Sequence, residues 1–347
     1  MKSQLQHLLR LPALATFSLL AALLALVSGA FSTSFRDVFD LLLNWGDPEL
    51  KTFQYLIVHI RIPRILGAGV VGAGLAIAGA AIQGLFRNPL ADPGLIGVNS
   101  GAMLCAILAI FFLKPLMVIL GPWSEYFILI GAAFIGGVMT TMLVYRLATS
   151  EGHTSVATML LAGIAIAALA GAVSGLFIYL SNDQQLRSIT FWTMGSLSGI
   201  SWVQLGIGGP IILFAIWRLL PSAIALNAIM LGEKEAKYMG IEVEKVKSQI
   251  IYLSALLVGA CISMSGMISF VGLVIPHFLR LGFSYSYKYL LPASAILGAG
   301  FLIAMDTIAR TIISPAELPI GILTALIGAP FFLWLLIRSK KARLLYD

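Results

Sequence analysis

Three arginines have side chains and spacing suited to holding carboxylates. Arg61 and Arg64 lie one helical turn apart in "RIPR", and Arg310 ends "AMDTIAR". A guanidinium binds a carboxylate through paired hydrogen bonds, so two arginines on one face predict a fork for acidic side chains. Two alternatives are anchoring to lipid phosphate and pairing with Asp306. The sequence leaves all three open.

A second polar stretch covers residues 223–248 and includes "ALNAIMLGEKEAKYMGIEVEKVKS". Four Glu and four Lys alternate there at helical spacing, and glycines stand at 232 and 240. This pattern predicts one or two short helices outside the bilayer. A charge-balanced helix of this kind either docks a soluble partner or is simply solvated. Nothing in the stretch resembles a catalytic centre.

A break interrupts the apolar run "SFVGLVIPHFLRLGF", which contains Gly272, Pro276, His277 and Arg280. Irregular backbone at membrane depth is tolerated only where protein or water covers it, so the break predicts a cavity or a gate support. His277 is a candidate ligand or proton relay. The simpler interpretation, which we favour, places it at the inner boundary with a backbone hydrogen bond near Arg280.

Motifs for catalysis and energy coupling are missing. The sequence has no G-x-x-x-x-G-K-[ST], H-E-x-x-H, C-x-x-C or G-x-S-x-G, so we assign no catalytic residue and expect no enzyme. Its two cysteines, Cys105 and Cys261, fall in apolar segments and are expected to be small apolar fillers, not metal ligands. We predict no metal site and no bound cofactor. The energy for any pumping must come from another chain.

Composition places these residues in a membrane. Of the 347 residues, 59% are hydrophobic and 11% charged, and the mean hydropathy is +0.98. Soluble domains carry about 25% charged residues. Several charge-free windows are long enough to cross a bilayer core of about 30 Å as a helix. We predict an all-α, polytopic membrane protein with a single transmembrane domain over residues 1–347.

The apolar segments number about ten, with a short, broken eighth. They are predicted at residues 11–31, 62–86, 95–112, 126–147, 155–180, 203–220, 249–267, 272–282, 290–313 and 319–337. The first is long enough to be a retained anchor and lacks a convincing cleavage site. An even number puts both termini on one side. Most of the 22 Lys and Arg residues then fall on that side, which predicts cytoplasmic termini; the charge of +7 indicates orientation, not nucleic-acid binding.

Small residues dominate the second segment. Residues 67–84 contain six glycines and six alanines, which make a poor helix in water but allow close helix packing in lipid. We expect this helix at the centre of a bundle, either as a tightly packed element or as part of a transport path. Four identities at an offset of 187 (Gly72 and Gly259, Ala73 and Ala260, Gly79 and Gly266, Pro89 and Pro276) suggest an inverted repeat or chance similarity.

The connection after the first segment shows an amphipathic pattern. Ser34 precedes Asp37 as in a capping box, and apolar residues follow at helical spacing from Phe35 to Leu43. We predict a helix along the outer interface with Trp45 near the headgroups. A solvated loop is the alternative.

Four stretches resemble a known family. They are "RIPRILGAGVVGAGLAIAGAAIQGLFRNPLADPGLIGVNSGA", "LNAIMLGEKEAKYMGIEV", "SGMISFVGLVIPHFLRL" and "AELPIGILTALIGAPFFLWLL". Together, in order over residues 61–336, they are similar to the permease subunits of bacterial ABC importers for ferric siderophores, haem and cobalamin. The resemblance implies the type II importer permease fold with ten helices per subunit. It also implies a homodimer with the path between two copies, in the bacterial inner membrane.

The resemblance implies partners as well. Two cytoplasmic ATPase subunits would supply energy from ATP and Mg, and a periplasmic substrate-binding protein would dock on Arg61, Arg64 and Arg310 through its acidic residues. The family's coupling helices, which contact the ATPase, match the polar stretch at residues 223–248. The matching positions are Leu231, Gly232, Glu233, Glu235, Ala236 and Gly240. The family's cytoplasmic gate matches Thr154 and Ser155. Among the small residues of the path we name Gly79, Gly84 and Gly266.

Substrate choice follows less directly. Residues 181–202, "SNDQQLRSITFWTMGSLSGISW", are similar to the periplasmic helix of haem permeases, although siderophore and cobalamin permeases carry related patterns. We expect an iron chelate, haem before a ferric siderophore, moved inward by alternating access. Cobalamin is the alternative, and a self-sufficient secondary transporter or channel is a further one.

Overall fold

Apolar helices account for most of the chain. This is expected in lipid, where no water is present and backbone N–H and C=O groups must hydrogen-bond within the helix. The structure, a computed structural model, describes residues 2–29, 33–44, 47–112, 122–282 and 284–343. Its helices are α1 (Lys2–Val27), α2 (Phe35–Leu43), α3 (Lys51–Tyr55), α4 (Ile62–Leu85), α5 (Val98–Phe112), α6 (Pro122–Ala148), α7 (Val156–Leu180), α8 (Asp183–Met194), α9 (Trp202–Leu219), α10 (Ala223–Leu231), α11 (Glu233–Tyr238), α12 (Val243–Ser265), α13 (Val271–Gly282), α14 (Tyr287–Thr311) and α15 (Ile320–Arg343).

Short elements connect these helices. A π-helical stretch, Leu56–Arg61, joins α3 to α4, and 3₁₀ turns cover Pro48–Leu50, Pro93–Ile96 and Leu220–Ser222. Between α6 and α7 lies an antiparallel hairpin of two strands, β1 (Thr149–Ser150) and β2 (His153–Thr154). The sequence patterns did not predict this hairpin.

All ten predicted apolar segments form helices. Within the described residues, seven helices are long and apolar enough to cross a membrane, and Val98–Phe112, Val271–Gly282 and Ile320–Trp334 are shorter apolar helices. The predicted short eighth segment is α13, which begins only after the non-helical residues that follow α12. The fold is an all-α membrane bundle, as predicted.

Helix α4 is the centre of this bundle. Within its spanning window 83% of the residues are buried, against 17% for α7. Helices α9, α12, α13 and α14 all pack on it. The prediction from its small residues is therefore confirmed, because a helix buried on nearly every face needs partners that approach closely.

Close backbone contact explains why α4 is rich in glycine. A Cβ atom built on Gly79 would lie 1.8 Å from the carbonyl oxygen of Gly272 in α13, and one built on Gly72 would lie 2.2 Å from that of Gly298 in α14. No side chain fits in either gap. The two contacts bring α13 and α14 against α4 at backbone distance.

Two of the four matched pairs in the suggested internal repeat differ in local structure. Gly79 lies inside α4, whereas its match Gly266 follows α12 with φ of 64°. Pro89 lies after α4, whereas Pro276 lies inside α13. These two matched pairs adopt different conformations, so the identities at them do not reflect a shared fold.

Helix α2 has the predicted cap. Ser34 accepts a hydrogen bond from the Asp37 backbone N–H, and the Asp37 carboxylate accepts one from the Ser34 N–H at 2.7 Å. This second bond lowers the pKa of Asp37. The apolar side chains of Phe35, Phe39 and Leu43 are exposed, which fits a helix lying at an interface. Trp45 lies outside the described residues.

The contact between α4 and α13 predicts the effect of adding one methyl group. Gly79→Ala should lower stability by about 1–3 kcal/mol, because the new Cβ overlaps the Gly272 carbonyl and the helices must separate. Gly175→Ala in α7 is the matched control: its Cβ meets nothing within 4 Å, so it should gain up to about 1 kcal/mol from helix propensity. Melting in detergent, followed by size-exclusion chromatography, measures both, and equal melting temperatures would contradict the close contact.

Candidate functional site

The arginine end of the bundle, the end that holds Arg64 and Arg310, contains buried charges. The Arg64 side chain, near the start of α4, is 8% exposed. Its Nε and Nη2 donate to the Asp306 carboxylate of α14, each at 2.9 Å, and its Nη1 donates to Glu317 Oε1 at 2.7 Å. The planar guanidinium binds two carboxylates at once. Arg64 thereby ties α4 to α14 and to the segment that follows α14.

The other two arginines bind the end of α1. Arg310 has its Nε 3.9 Å from Asp306 Oδ2, and its Nη2 donates to the Ala25 carbonyl. Arg61 Nη1 donates to the Leu26 carbonyl at 2.6 Å. The last carbonyls of a helix have no partner within it and carry partial negative charge. Two cations therefore cap the carboxyl end of α1.

The predicted outward-facing fork does not form. Arg61 is 3% and Arg64 6% exposed, and their guanidinium groups contact different partners within the chain. Arg64 instead pairs with Asp306, which was one of the two alternatives. The reason is burial: a guanidinium this enclosed needs acceptors within the chain, which are the Asp306 carboxylate for Arg64 and the Leu26 carbonyl for Arg61. Docking of a partner protein on these residues stays a prediction.

The α11 end of the bundle, which holds α10, α11 and the hairpin, carries the predicted coupling residues. Gly232 joins α10 to α11 with φ of 144°, a conformation that favours glycine. Leu231 is 71% exposed, and Tyr238 and Met239 are exposed beside it. Ala236 is fully buried in a small core with Ile229. Only part of the predicted set is therefore free to contact a partner.

The remaining predicted coupling residues are polar or flexible positions. Glu235 is exposed, with a carboxylate oxygen against Gly232. Gly240 lies two residues after α11, has φ of 81° and is exposed. Glu233 turns inward and bonds Lys247 at 2.7 Å. Charge pattern alone did not distinguish Glu233 from Glu235 in this respect.

A buried lysine joins three elements at the α11 end. The Lys247 side chain is 3% exposed, and its Nζ donates to Glu233 Oε2 at 2.7 Å, Glu244 Oε1 at 3.0 Å and the Thr154 carbonyl at 3.1 Å. Glu244 Oε2 accepts from the Thr154 backbone N–H at 2.9 Å. Both backbone groups of the predicted gate residue Thr154, its N–H and its carbonyl, are thus bound by side chains of α12. Ser155, its neighbour, accepts from the Thr158 N–H and caps α7.

A second polar cluster lies where α4, α13 and α14 meet. Gln83 donates to the Gly272 carbonyl at 3.2 Å and accepts from Arg280. Arg280 also donates to the Tyr287 hydroxyl at 3.2 Å. A Cβ on the predicted path residue Gly84 would meet the Tyr287 ring at 2.7 Å. Gly84 is a packing position inside the subunit, as is Gly79.

His277 does not make the expected hydrogen bond through Nδ1. This atom is buried without a hydrogen-bond partner, and the imidazole packs edge-on against Phe331 with ring centroids 6.0 Å apart. Within the described residues, no group of three or more His, Cys, Asp or Glu side chains could hold a metal ion. Cys105 and Cys261 are free, and Cys261 is buried, as expected of fillers.

Two cavities lie beside predicted residues. One of about 390 Å³ opens between α8, α9 and α12, where it meets Trp192, Gln204 and the predicted path residue Gly266. Another, of about 280 Å³, lies between α4, α13 and the connection that carries Asp92. Burial raises the pKa of the Asp92 carboxyl, and the hydrogen bond from the Gly94 N–H opposes this.

Comparison with known proteins identifies the family. Residues 17–338 match the FecCD transport family. The chain belongs to the FecCD transport family. A solved structure described as an inward-facing conformation of a metal-chelate type ABC transporter superposes with a TM-score of 0.83 and 35% identity, covering 95% of this chain and 99% of that one. The fold is therefore the type II importer permease fold, as the motifs predicted.

Two relatives of this FecCD protein have names that differ in cargo. The hemin transport system permease protein HmuU of Yersinia pestis is 42% identical over 94% of this chain and 95% of its own length. The vitamin B12 import system permease protein BtuC of Vibrio vulnificus is 38% identical over 95% and 93%. Both names describe permeases, and this FecCD chain is likewise a membrane permease of the ABC transporter class.

Sequence reasoning missed two functional candidates in the FecCD chain. Glu317, in "AELP", follows α14 by six positions and gave no periodic signal. Lys247 looked like one more charge in an alternating helix. The only signal for it was its place four residues into an apolar span, where a charge must find partners.

The buried charges at the arginine end predict a large stability loss. Asp306→Asn should cost on the order of 3 kcal/mol, because Arg64 and Arg310 would then share one fewer buried carboxylate. Asp40→Asn is the control, since Asp40 pairs with Arg36 on the exposed helix α2 and should change stability by less than about 1 kcal/mol. Thermal melting in detergent measures both variants. Equal small shifts would show that the buried pairing is not required for stability.

Proposed function

We propose that this chain is the permease subunit of an ATP-driven importer that moves an iron chelate from the periplasm to the cytoplasm by alternating access. The observation that carries the proposal is the 42% identity to a hemin transport permease over 94% of the chain. Haem is the favoured cargo, and a ferric siderophore is the next. The resemblance to vitamin B12 permeases at 38% identity makes cobalamin the second candidate.

The proposed assembly contains two copies of this chain, two cytoplasmic ATPase subunits and a periplasmic substrate-binding protein. ATP and Mg bind to the ATPase, and this chain binds no cofactor. The missing phosphate-loop motif supports a separate ATPase. The assembly lies in the bacterial inner membrane with both termini in the cytoplasm, which the concentration of Lys and Arg at the α11 end and the carboxyl terminus supports.

The α11 end supplies the proposed ATPase contact. Exposed apolar side chains at a polar loop are costly unless a partner covers them, and Leu231, Tyr238 and Met239 are 71%, 89% and 63% exposed. Leu231 is the last residue of α10, Tyr238 is the last residue of α11, and Met239 follows it. The exposed Glu235 and Lys237 at the rim add polar contacts of both signs.

The arginine end is the proposed dock for the binding protein. Glu317 is 40% exposed while Arg64 beneath it is 8% exposed, so a partner carboxylate would replace Glu317 on Arg64. Arg61 and Arg310 would add positive potential from below the surface. Glu317→Gln should then strengthen binding-protein affinity, because it leaves Arg64 more available. A weaker or unchanged affinity by calorimetry would contradict this docking mode.

Reconstituted liposomes test the function directly. Liposomes that contain the chain with its ATPase and binding protein should take up labelled haem only when ATP is present on the side of the membrane that holds the ATPase. Cobalamin and a ferric siderophore should be taken up at a much lower rate. Liposomes that contain this chain alone should show no uptake under a proton or sodium gradient. Gradient-driven uptake by the chain alone would instead establish a secondary carrier.

A pair of surface variants tests the ATPase contact. Leu231→Ser combined with Tyr238→Ser should reduce recovery of the ATPase in a detergent pull-down by at least about tenfold, because it removes the exposed apolar anchors. Phe39→Ser is the control: Phe39 is a similarly exposed apolar residue, 60% accessible, on α2. Full ATPase recovery with the double variant would exclude this surface.

A further inference from the structure

The hydrogen bonds of Lys247 connect the proposed ATPase contact to Thr154, the predicted gate residue. An ammonium group has three N–H donors, and here all three are used. The acceptors belong to three elements: Glu233 at the start of α11, Glu244 on α12 and the Thr154 carbonyl of β2, at 2.7, 3.0 and 3.1 Å. Lys247 therefore hydrogen-bonds both α11 and the hairpin.

The hairpin is held at its second strand. Glu244 Oε2 accepts from the Thr154 N–H at 2.9 Å while Lys247 binds the Thr154 carbonyl. The Thr154 hydroxyl lies 3.1 Å from the Thr149 hydroxyl on β1. Both strands are therefore linked to the first turns of α12. A rigid-body shift of those turns would move the hairpin with them.

Burial makes this connection stiff. The Lys247 side chain is 3% exposed, so a lost acceptor cannot be replaced by water without opening the site. A chemically identical pair lies nearby on the surface: Lys245 and Glu242 are 3.5 Å apart and both are 74% exposed. An exposed pair contributes little and breaks readily. The contrast separates the effect of burial from that of charge.

We infer that Lys247 is a positioning residue that transmits movement of α11 to the hairpin at residues 149–154. This inference rests on the proposed function, since it takes α11 as the ATPase contact, and it takes Thr154 as part of the predicted gate. When the ATPase displaces α11, Glu233 pulls on Lys247, and Lys247 with Glu244 moves Thr154. ATP hydrolysis and gate movement are coupled through this one ammonium group.

Glu233→Gln is the variant that isolates the connection. It weakens the bond from α11 but leaves Glu244 and Thr154 in place, so the hairpin and α12 keep their fold. Lys247→Met removes all three bonds and serves as the stronger variant. Glu242→Gln and Lys245→Met are the matched controls on the exposed pair.

The experiment measures uptake and ATP hydrolysis in the full importer in liposomes. For Glu233→Gln we expect about tenfold less cargo moved per ATP hydrolysed, the size of effect given by one charge-assisted hydrogen bond. ATPase recovery in a pull-down is measured alongside, because Glu233 also belongs to the predicted coupling residues and a lost ATPase contact would lower recovery as well as transport. Adding Glu233→Gln to Lys247→Met should have no further effect, because the ammonium group that Glu233 binds is already absent. The controls should match the wild type.

Hydrogen exchange at residues 149–154 gives a second readout that a merely structural role would not change. Exchange there should respond to ATP in the wild type and in Lys245→Met, and should no longer respond in Glu233→Gln. An unchanged response in Glu233→Gln would overturn the inference. Failure of the wild type itself to recover an ATPase or to take up cargo with ATP would overturn the proposed function instead.

Discussion

The structure depends on close contact between helix backbones. In lipid, moving an apolar side chain from the acyl chains into the protein gains little free energy. Helices are therefore held together by van der Waals contact, which small side chains allow at close range, and by hydrogen bonds. Helix α4 meets α13 at Gly79 and α14 at Gly72, where neighbouring carbonyl oxygens leave no room for a methyl group. These contacts set how the other helices are arranged around α4. Charged side chains collect at the two ends of the bundle for a different reason, since a charge in the bilayer core is costly unless it is paired.

Each end satisfies its charges in a different way. At the arginine end, Arg64 binds carboxylates from α14 and from the segment after it, and the other arginines cap α1. At the α11 end, a single lysine gathers carboxylates and a carbonyl from three elements. The first arrangement fixes transmembrane helices to one another. The second fixes short elements outside the spans, which are the ones a soluble partner would reach.

Sequence patterns predicted the helices far better than the side-chain partners. Apolar length located all ten segments, and glycine content identified α4 as the central helix, because both depend on local composition. The partner of Arg64 was only one of three alternatives, since Asp306 lies 242 residues away and nothing local selects it. Lys247 was not predicted as a site residue, and the bond to it from Glu233, a predicted coupling residue, was not predicted either, for the same reason. In an alternating charged helix, periodicity does not distinguish a side chain that turns inward from one that faces water.

The separation of Arg64 from Asp306 also constrains how the protein is made. A chain is synthesised from its amino terminus, so α4 enters the membrane long before α14 exists. Until then the Arg64 guanidinium has neither carboxylate and must stay at the hydrated interface, where its long side chain can reach. The arginine end is therefore completed late, when α14 and Glu317 arrive. Membrane insertion of α4 and final assembly of the bundle are separate events in time.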